Sequence, residues 1–385
     1  MFTATTALKN IRRHSRKSAL YFLICVIAVS TLQIYIAVID RTEKQLHELP
    51  GAMPVLARVA SLDGSRFTGL QIPEKTVDGL IYSDHVSDLK LTVLLGGWFG
   101  DQIDEDFLDN QIGGIVGANA IIALEELNPD DVMWLPGYGP DFLGGDEAVC
   151  LMDSKLMKTC GLSLGDDAPL GLFYFKYESR NMVSFQHLDL TKLRIVGTAE
   201  LSMATVGVGA SSVIMPFEAV RDIFQRRDVT FYASSASFNV RDALMLNDFK
   251  AEMETLQLKS VSPYGDVYAL VSANQGAALV VNDAAFISSA TRLRESMSLL
   301  RGFLPLIAAT LVAVGYFSAY LAVQNRREEY AVYRLLGMSG RGAMKLYFTE
   351  IAALTLSGSL FGVLLSAAFG VGGFNTGAVV FFTFP

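Results

Sequence analysis

The sequence predicts a membrane protein whose α-helical transmembrane spans flank a large mixed α+β extracytoplasmic domain, inserted between spans 1 and 2. Three observations predict this fold class. The 385 residues are 51% hydrophobic and 18% charged, whereas soluble domains carry about 25% charged residues. The uncharged residues gather into three long runs near the ends of the chain, and the segment between the first two runs is strongly acidic.

Each apolar run is long enough to cross a bilayer. Residues 19–39 contain no charged side chain, and at 1.5 Å per residue a helix of this length covers about 30 Å. Residues 303–323 form a second such run, and residues 351–374 form a third that is richer in Gly, Ala and Ser. A cleaved signal peptide is the alternative for the first run, but signal cores are about 7–15 residues long. We therefore interpret the first run as an uncleaved anchor.

These runs divide the chain into seven segments. They are a basic entry helix at 1–18, span 1 at 19–39, an outer domain with a helical stalk at 40–300, span 2 at 301–324, a loop at 325–349, span 3 at 350–374, and the start of an outer loop or fourth span at 375–385.

The charge distribution predicts the orientation of the spans. The basic residues of the entry helix, namely Lys9, Arg12, Arg13, Arg16 and Lys17, are accompanied by no acid. The loop at 325–349 is also basic, whereas residues 40–300 hold 20 basic and 36 acidic residues. Because Lys and Arg concentrate in cytoplasmic loops, the N-terminus and this loop are predicted to be cytoplasmic. The outer domain then lies outside a bacterial cell membrane.

The outer domain reads as alternating short strands and helices. Strands are predicted at 148–152, 170–177, 193–196, 212–215 and 238–240, and helices at 155–160, 217–224 and 247–256. Asp153 or Ser154 is a suitable N-cap for the first of these helices, and Gly161 suits its left-handed end. A helical stalk is predicted at 277–301.

The sequence contains no recognisable catalytic site, metal site or cofactor motif. The four histidines are not spaced as metal ligands, and no P-loop or hydrolase motif occurs. The acidic run Asp101, Asp104, Glu105, Asp106 and Asp109 lacks the spacing of a calcium loop and is interpreted as a solvated loop. Cys150 and Cys160 remain candidates for a disulfide. The net negative charge argues against nucleic-acid binding.

The loop between spans 2 and 3 is the most informative segment. Its sequence, RREEYAVYRLLGMSGRG from Arg326, predicts a short helix with an apolar stripe of Ala331, Leu335 and Met338. Glycines at 337 and 340 limit this helix. A short apolar helix of this kind suits a groove on a partner protein. The alternative is an interfacial helix that rests on lipid headgroups.

A resemblance to a known family adds to this interpretation. The basic entry helix, the single span, the large outer domain and the segment RREEYAVYRLLGMSGRGAMKLYFTE before a Gly-rich span resemble the FtsX/MacB-type ABC transporter permeases. In the outer domain, LSLGDDAPL, LRIVGTAE and VIMPFEAV resemble the MacB-type periplasmic core. The positions that match the family's coupling segment are Glu328 or Glu329, Arg334, Leu335, Gly337 and Glu350.

The resemblance implies a non-enzymatic permease that docks on a separate cytoplasmic ABC ATPase, which binds the ATP. A second permease copy or a paralogue would complete the assembly in the lipid membrane. The implied function is export or extraction of a peptide-like, lipidic or antibiotic substrate. The alternative is an FtsX-like mechanotransmitter that regulates an outer hydrolase or sensor. The family's unit has four spans, so we expect the native chain to continue beyond Pro385 by about 25 residues or more.

Small residues mark two faces for helix packing. Gly358 and Gly362 form a GxxxG pattern in span 3, and Gly315 and Ala319 have the same spacing in span 2. Small side chains let helix backbones approach closely in lipid. Packing within the permease is favoured over a dimer seam.

Overall fold

The computed structural model describes residues 10–100, 111–124, 127–179, 182–201, 211–261, 277–324 and 327–372. The chain divides into two compact units. Pro50–Ile287 form one, which we call the outer unit, and Met1–Leu49 with Ser288–Pro385 form the other, which we call the membrane unit. The acidic run that begins at Asp101, as well as Arg326 and residues 373–385, lies outside the described residues.

The described regular elements are named here in chain order. The helices are α1 Ser15–Ala52, α2 Glu74–Ile81, α3 Ser154–Thr159, α4 Phe217–Arg226, α5 Leu246–Thr255, α6 Ala284–Gln324, α7 Arg327–Leu335 and α8 Gly340–Gly372. The strands are β1 Val55–Ala60, β2 Ile72–Pro73, β3 Val86–Phe99, β4 Gln111–Ala118, β5 Met133–Trp134, β6 Val149–Asp153, β7 Asp167–Ser179, β8 Met182–Ala199, β9 Ser211–Pro216, β10 Tyr232–Ala233, β11 Ser235–Val240, β12 Lys259–Ser260 and β13 Ala278–Val281.

Three helices of the described chain are long and apolar enough to cross a membrane, namely Ser15–Ala52, Ala284–Gln324 and Gly340–Ala368. They contain the first two apolar runs of the sequence and most of the third. At 1.5 Å per residue, α1 and α6 are about 57 and 62 Å long, so both extend well past a hydrocarbon core of about 30 Å.

The predicted boundaries need two corrections. The stalk was placed at 277–301, but residues 278–281 form β13, which pairs with β1, and α6 begins at Ala284. The run Ala-Leu-Val-Val is apolar and includes two β-branched valines, and its burial as a strand overrides its compatibility with a helix. The loop at 325–349 is also mostly helical, because α8 begins at Gly340, ten residues before the predicted span.

Six strands of the outer unit close into a ring. In order around the ring they are β3, β4, β9, β6, β8 and β7, and β7 closes it by pairing with both β8 and β3. The first half of β3 leaves the ring to pair with β11, and the sheet continues from there through β1 and β13 to β12. The 14-residue length of β3 lets one strand serve both parts of the sheet.

Glycines opposite aromatic rings shape the core of the ring. Trp98 is 2% exposed and lies directly across from Gly171 on β7. A Cβ atom on Gly171 would be 1.9 Å from Trp98 Cε2, and one on Gly96 would be 2.1 Å from Phe173 Cζ. Neither position has room for a side chain, so the two aromatic rings fill space that only glycine leaves open.

Most elements that the sequence predicted in the outer unit are present, with shifted ends. The Asp153 carboxylate caps α3, accepting hydrogen bonds from the amides of Lys155 and Leu156 at 3.1 Å. Gly161 follows α3 with a φ of +66°. Strands 170–177 and 193–196 are in fact the cores of a much longer hairpin, β7 and β8. The long strand β3 and the helix α2 were not predicted.

Candidate functional site

The segment singled out in the sequence forms a short helix that ends sharply. α7 spans Arg327–Leu335, and Gly337 follows it with a φ of +87°. The Gly337 amide donates to the Arg334 carbonyl, and the Met338 amide donates to the Tyr333 carbonyl, both at 3.1 Å. This pair of bonds is a Schellman motif, which requires a left-handed residue and therefore favours glycine. Gly337 thus has a backbone role in ending α7.

The turn after α7 leads directly into α8. The Ser339 hydroxyl accepts a hydrogen bond from the Gly342 amide at 3.2 Å, and the Ser339 carbonyl accepts one from the Ala343 amide at 3.1 Å. Ser339 is thus the N-cap of α8. The two helices form a hairpin with a connection of only four residues, which restricts how α7 can move relative to α8.

One face of α7 is fixed against the membrane helices. Glu329 Oε1 lies 2.7 Å from Nε2 of His14, just before α1, and both side chains are partly buried. The ring of Tyr330 lies 6.5 Å from the ring of Tyr347 on α8, centroid to centroid. These contacts connect α7 to α1 and to α8.

The opposite face of α7 and the turn after it expose apolar side chains. Val332 is 53% exposed, Leu335 86% and Leu336 78%, and Ala331 is exposed beside them. We call these four residues the exposed α7 face. Large apolar side chains that cluster on a surface mark contact sites more often than isolated ones do.

The seven predicted coupling residues are therefore divided between four places. Glu328, Ala331, Arg334 and Leu335 are exposed on α7, Glu329 faces α1, and Gly337 ends the helix. Met338 lies beyond the Schellman turn, so it does not continue the stripe of Ala331 and Leu335, which corrects the prediction of one continuous stripe. Val332 and Leu336 were overlooked, although Val332 stands three residues before Leu335 and so shares its helix face.

The predicted packing residues of span 3 lie against α1. A Cβ atom on Gly358 would be 2.8 Å from Cys25 Cβ, and one on Gly362 would be 2.9 Å from the Val26 carbonyl oxygen. Ser30 Oγ donates to the Gly362 carbonyl at 3.1 Å. This geometry is the close backbone approach that small residues allow in membranes.

The corresponding residues of span 2 are placed differently. A Cβ atom on Gly315 would meet nothing within 4 Å, and Ala319 is half-buried. α6 instead contacts α1 nearer the C-terminal end of span 1, where the Tyr35 hydroxyl donates to the Leu300 carbonyl at 2.8 Å and Arg301 Nη2 lies 2.9 Å from Glu43 Oε2. α1 thus contacts α6 and α8, and His14, the residue just before α1, contacts α7.

Potential reaction chemistry is sparse in the described part of the chain. No group of three or more His, Cys, Asp or Glu side chains there is placed to bind a metal ion. Cys150 and Cys160 are free thiols. Burial raises the pKa of Cys150 to about 12, and it also raises the pKa of the more accessible Cys160.

Comparison with known proteins places the candidate site inside a recognised domain. Residues 301–371 match the family model described as FtsX-like permease C-terminal. This match covers the apolar part of α6, all of α7 and nearly all of α8. No curated protein sequence matches the chain.

Several solved structures are similar to this chain at low identity. The periplasmic region of MacB from Actinobacillus actinomycetemcomitans is similar over 60% of this chain and 91% of its own length, with 8% identity and a TM-score of 0.32. The extracellular domain of the noncanonical ABC-type transporter YknZ from Gram-positive bacteria is similar over 52% of this chain and 92% of its own length, with 11% identity and a TM-score of 0.31. A domain of a putative permease from Porphyromonas gingivalis is similar over 59% of this chain and 86% of its own length, with 14% identity and a TM-score of 0.28. Likenesses at this level assign no activity to the outer unit.

Proposed function

We propose that this chain, whose residues 301–371 match an FtsX-like permease domain, is an ABC-transporter permease, and that a separate cytoplasmic ABC ATPase docks on its exposed α7 face. The observation that carries the proposal is the division of α7 into two faces. Glu329 and Tyr330 hold one face to α1 and α8, while the other presents Val332, Leu335 and Leu336 to solvent. A helix anchored on one side and apolar on the other suits a groove in a partner.

The charges around the exposed face support a protein partner of mixed character. Arg327, Glu328 and Arg334 are exposed on the same helix, so polar groups of both signs surround the apolar residues. Protein interfaces commonly have this arrangement of an apolar centre and a polar rim. A helix that only rests on a membrane would be expected to carry mainly basic residues on its polar face.

The contacts of α1 provide a path for mechanical transmission. Force applied to α7 reaches α1 through His14 and Glu329. α1 packs along α8 at Gly358 and Gly362, and it bonds to α6 at Leu300 and Arg301. We therefore propose that ATP-driven movement of α7 passes through α1 to both other spans, in an assembly with a second permease copy or a paralogue.

Two uses of this movement fit the chain. The first is export or extraction of a peptide-like, lipidic or antibiotic substrate by the permease. The second is mechanotransmission to an outer hydrolase or sensor, which the length of α1 and α6 beyond the bilayer favours. ATP-dependent export by the reconstituted complex would support the first use. Specific binding of a soluble outer enzyme to the chain, without any export, would support the second.

The docking proposal is tested by Leu335→Asp in the full chain, co-expressed with its ATPase. Loss of a buried anchor commonly costs about 2 kcal/mol or more, and a desolvated carboxylate adds to this cost. We expect affinity to fall at least about 25-fold, so that the ATPase no longer co-purifies, while membrane insertion stays normal because Leu335 lies outside the apolar runs.

The matched control is Ile122→Asp, which makes the same kind of change at an apolar side chain of the outer unit that is 67% exposed. It should leave co-purification unchanged. Normal complex formation by Leu335→Asp would show that α7 is not the docking segment.

Transmission is tested separately by His14→Ala. This change removes the contact with Glu329 but leaves the exposed α7 face intact. The ATPase should still co-purify, whereas its stimulation by the permease should fall. Full stimulation in this variant would remove α1 from the proposed path.

A further inference from the structure

The membrane unit contains a cavity that the proposed docking does not use. It has a volume of about 450 Å³ and lies between α1, α6 and α8. This volume falls in the range of small-molecule pockets, about 300–1,000 Å³. The cavity is therefore large enough to hold a ligand group, and the described residues that line it all belong to the three apolar helices.

The polar lining residues gather at one end of the cavity. On α1, Lys17 and Ser18 come first and Ile24 follows two turns later. On α8, Tyr347 and Glu350 come first, and Leu354 follows one turn after Glu350. On α1 and α8 the polar residues lie at the predicted cytoplasmic ends of the spans and apolar residues follow, whereas α6 lines the cavity mainly with apolar side chains and Ser318. A cavity that is polar at the membrane surface and apolar toward the bilayer centre matches an amphiphile oriented like a lipid of that leaflet.

Two lining residues are buried polar groups. Glu350 is 2% exposed, and Ser18 is 4% exposed. Among the described residues, Ser18 Oγ has no hydrogen-bond partner. Burying a hydroxyl without a hydrogen bond is unfavourable, and a charged residue buried inside a membrane unit is rare outside functional positions. The cavity therefore has a built polar end.

The mouth of the cavity opens between apolar side chains. Leu20 is 61% exposed, Phe317 62% and Leu321 55%, and all three line the cavity. In a bilayer these side chains would meet acyl chains rather than water. A ligand can thus place its polar part inside while its hydrocarbon tails continue into the surrounding lipid.

The two charged lining residues specify the ligand class. Lys17 is exposed and supplies an ammonium group that can bind a phosphate. Glu350 supplies a carboxyl group that can accept hydrogen bonds from an ammonium. A purely anionic headgroup would meet Glu350, and a purely cationic amphiphile would meet Lys17, so each would face one like charge.

We propose that this cavity binds a zwitterionic aminophospholipid of the inner leaflet, with Lys17 at its phosphate and Glu350 at its ammonium group. Phosphatidylethanolamine has this chemistry. The site lies apart from the exposed α7 face, so the proposal does not depend on ATPase docking. Bound lipid would fill the space between α6 and the packed pair of α1 and α8.

The test uses the full chain in nanodiscs that contain phosphatidylethanolamine and phosphatidylglycerol in equal amounts. Each lipid is supplied in turn as a photoactivatable analogue with the reactive group near its headgroup, and labelled peptides are identified by mass spectrometry. We expect the ethanolamine lipid to label the peptides around residues 17–24 and 347–354 preferentially. Equal labelling by both lipids, or labelling only elsewhere, would overturn the proposal.

Variants separate the two charges. Glu350→Gln should lower ethanolamine-lipid labelling about tenfold, as expected for one charge-assisted hydrogen bond, and should leave labelling by the glycerol lipid unchanged or higher. Lys17→Gln should lower labelling by both. Lys345→Gln is the matched control, because Lys345 is exposed on α8 and does not line the cavity. Unchanged selectivity in Glu350→Gln would refute the role of its carboxyl group.

A third variant covers the case in which Glu350→Gln does not fold. Ser318→Phe enters the cavity from α6, where Ser318 is half-buried, and it should displace the lipid without removing either charge. Full labelling of this variant would show that the lipid binds outside the cavity.

Discussion

Replacing Gly358 by alanine tests the packing of α1 on α8 with the smallest possible change. The new Cβ atom would lie 2.8 Å from Cys25 Cβ and 3.1 Å from the Phe22 carbonyl oxygen. Carbon atoms in contact are normally about 3.5–4.0 Å apart. Two of the three nearest atoms belong to backbone or to a Cβ, which cannot turn away, so the helices themselves must separate by about 1 Å.

The cost of this separation follows from the contacts that it weakens. Overpacking of this kind costs about 1–3 kcal/mol. The same movement stretches the hydrogen bond from Ser30 Oγ to the Gly362 carbonyl, now 3.1 Å, and the one between Tyr21 and Thr355, now 3.0 Å. Hydrogen bonds between membrane helices are worth roughly 0.6 kcal/mol each. We expect Gly358→Ala to lower the unfolding free energy by about 2–4 kcal/mol.

The measurement is unfolding of the purified chain in mixed micelles as the fraction of denaturing detergent rises. The native thiol of Cys25, which is 8% exposed, gives a second signal, since separation of the helices should speed its reaction with a maleimide. Gly315→Ala is the matched control, because a Cβ atom there meets nothing within 4 Å. Both changes gain the same helix propensity, up to about 1 kcal/mol, so their difference isolates the clash.

Equal unfolding midpoints for the two variants, with unchanged reactivity of Cys25, would refute the close approach of α1 and α8. A lower midpoint for Gly315→Ala alone would point to packing of α6 on another chain. That result would mean that the close helix packing involves Gly315 of span 2 rather than Gly358 of span 3.

Three further predictions concern topology and the outer unit. In a cysteine-less background, a cysteine at Ser65 should react with an impermeant thiol reagent in intact cells, and one at Ser339 should not; the reverse pattern would invert the predicted orientation. Gly171→Ala should lower the thermal unfolding temperature by several degrees or prevent folding, because the new Cβ atom would lie 1.9 Å from the ring of Trp98. Gly144→Ala is the control: its Cβ atom would enter open space, so the unfolding temperature should change little. Because burial raises the pKa of Cys150 to about 12, its thiol should stay unreactive toward maleimide between pH 7 and 9 and react only after unfolding; rapid reaction of the folded chain would contradict its burial.

The contacts of α1 suggest why a single span can matter to the whole membrane unit. Ser18, Tyr21 and Cys25 are buried at intervals of three and four residues, and Val26 and Ser30 are buried four residues apart beside them. This spacing forms one face along the helix, and α8 covers much of it. Tyr35 then bonds to α6. A displacement at either end of α1 would therefore shift residues of α6 and α8 that contact it.

The sequence alone determined the class of the protein and its large divisions. Uncharged runs of more than 20 residues have few alternatives to membrane helices, so the three spans were identifiable without a structure. The short α7 helix and its end at Gly337 were also identifiable, because glycine and the local charge pattern act within a few residues. The helix α4 was likewise predicted, at 217–224, and it spans Phe217–Arg226.

Tertiary structure decided what depends on residues far apart in the chain. Residues 278–281 become a strand because β1 is available to pair with them, and no local pattern contains that information. The glycine at 358 contacts α1 whereas the one at 315 does not, although both have a small residue four positions later. Likewise, only the folded helices bring Lys17 and Glu350 to the same cavity. Local propensity fixes where elements form, but the partner of each face depends on packing between distant segments.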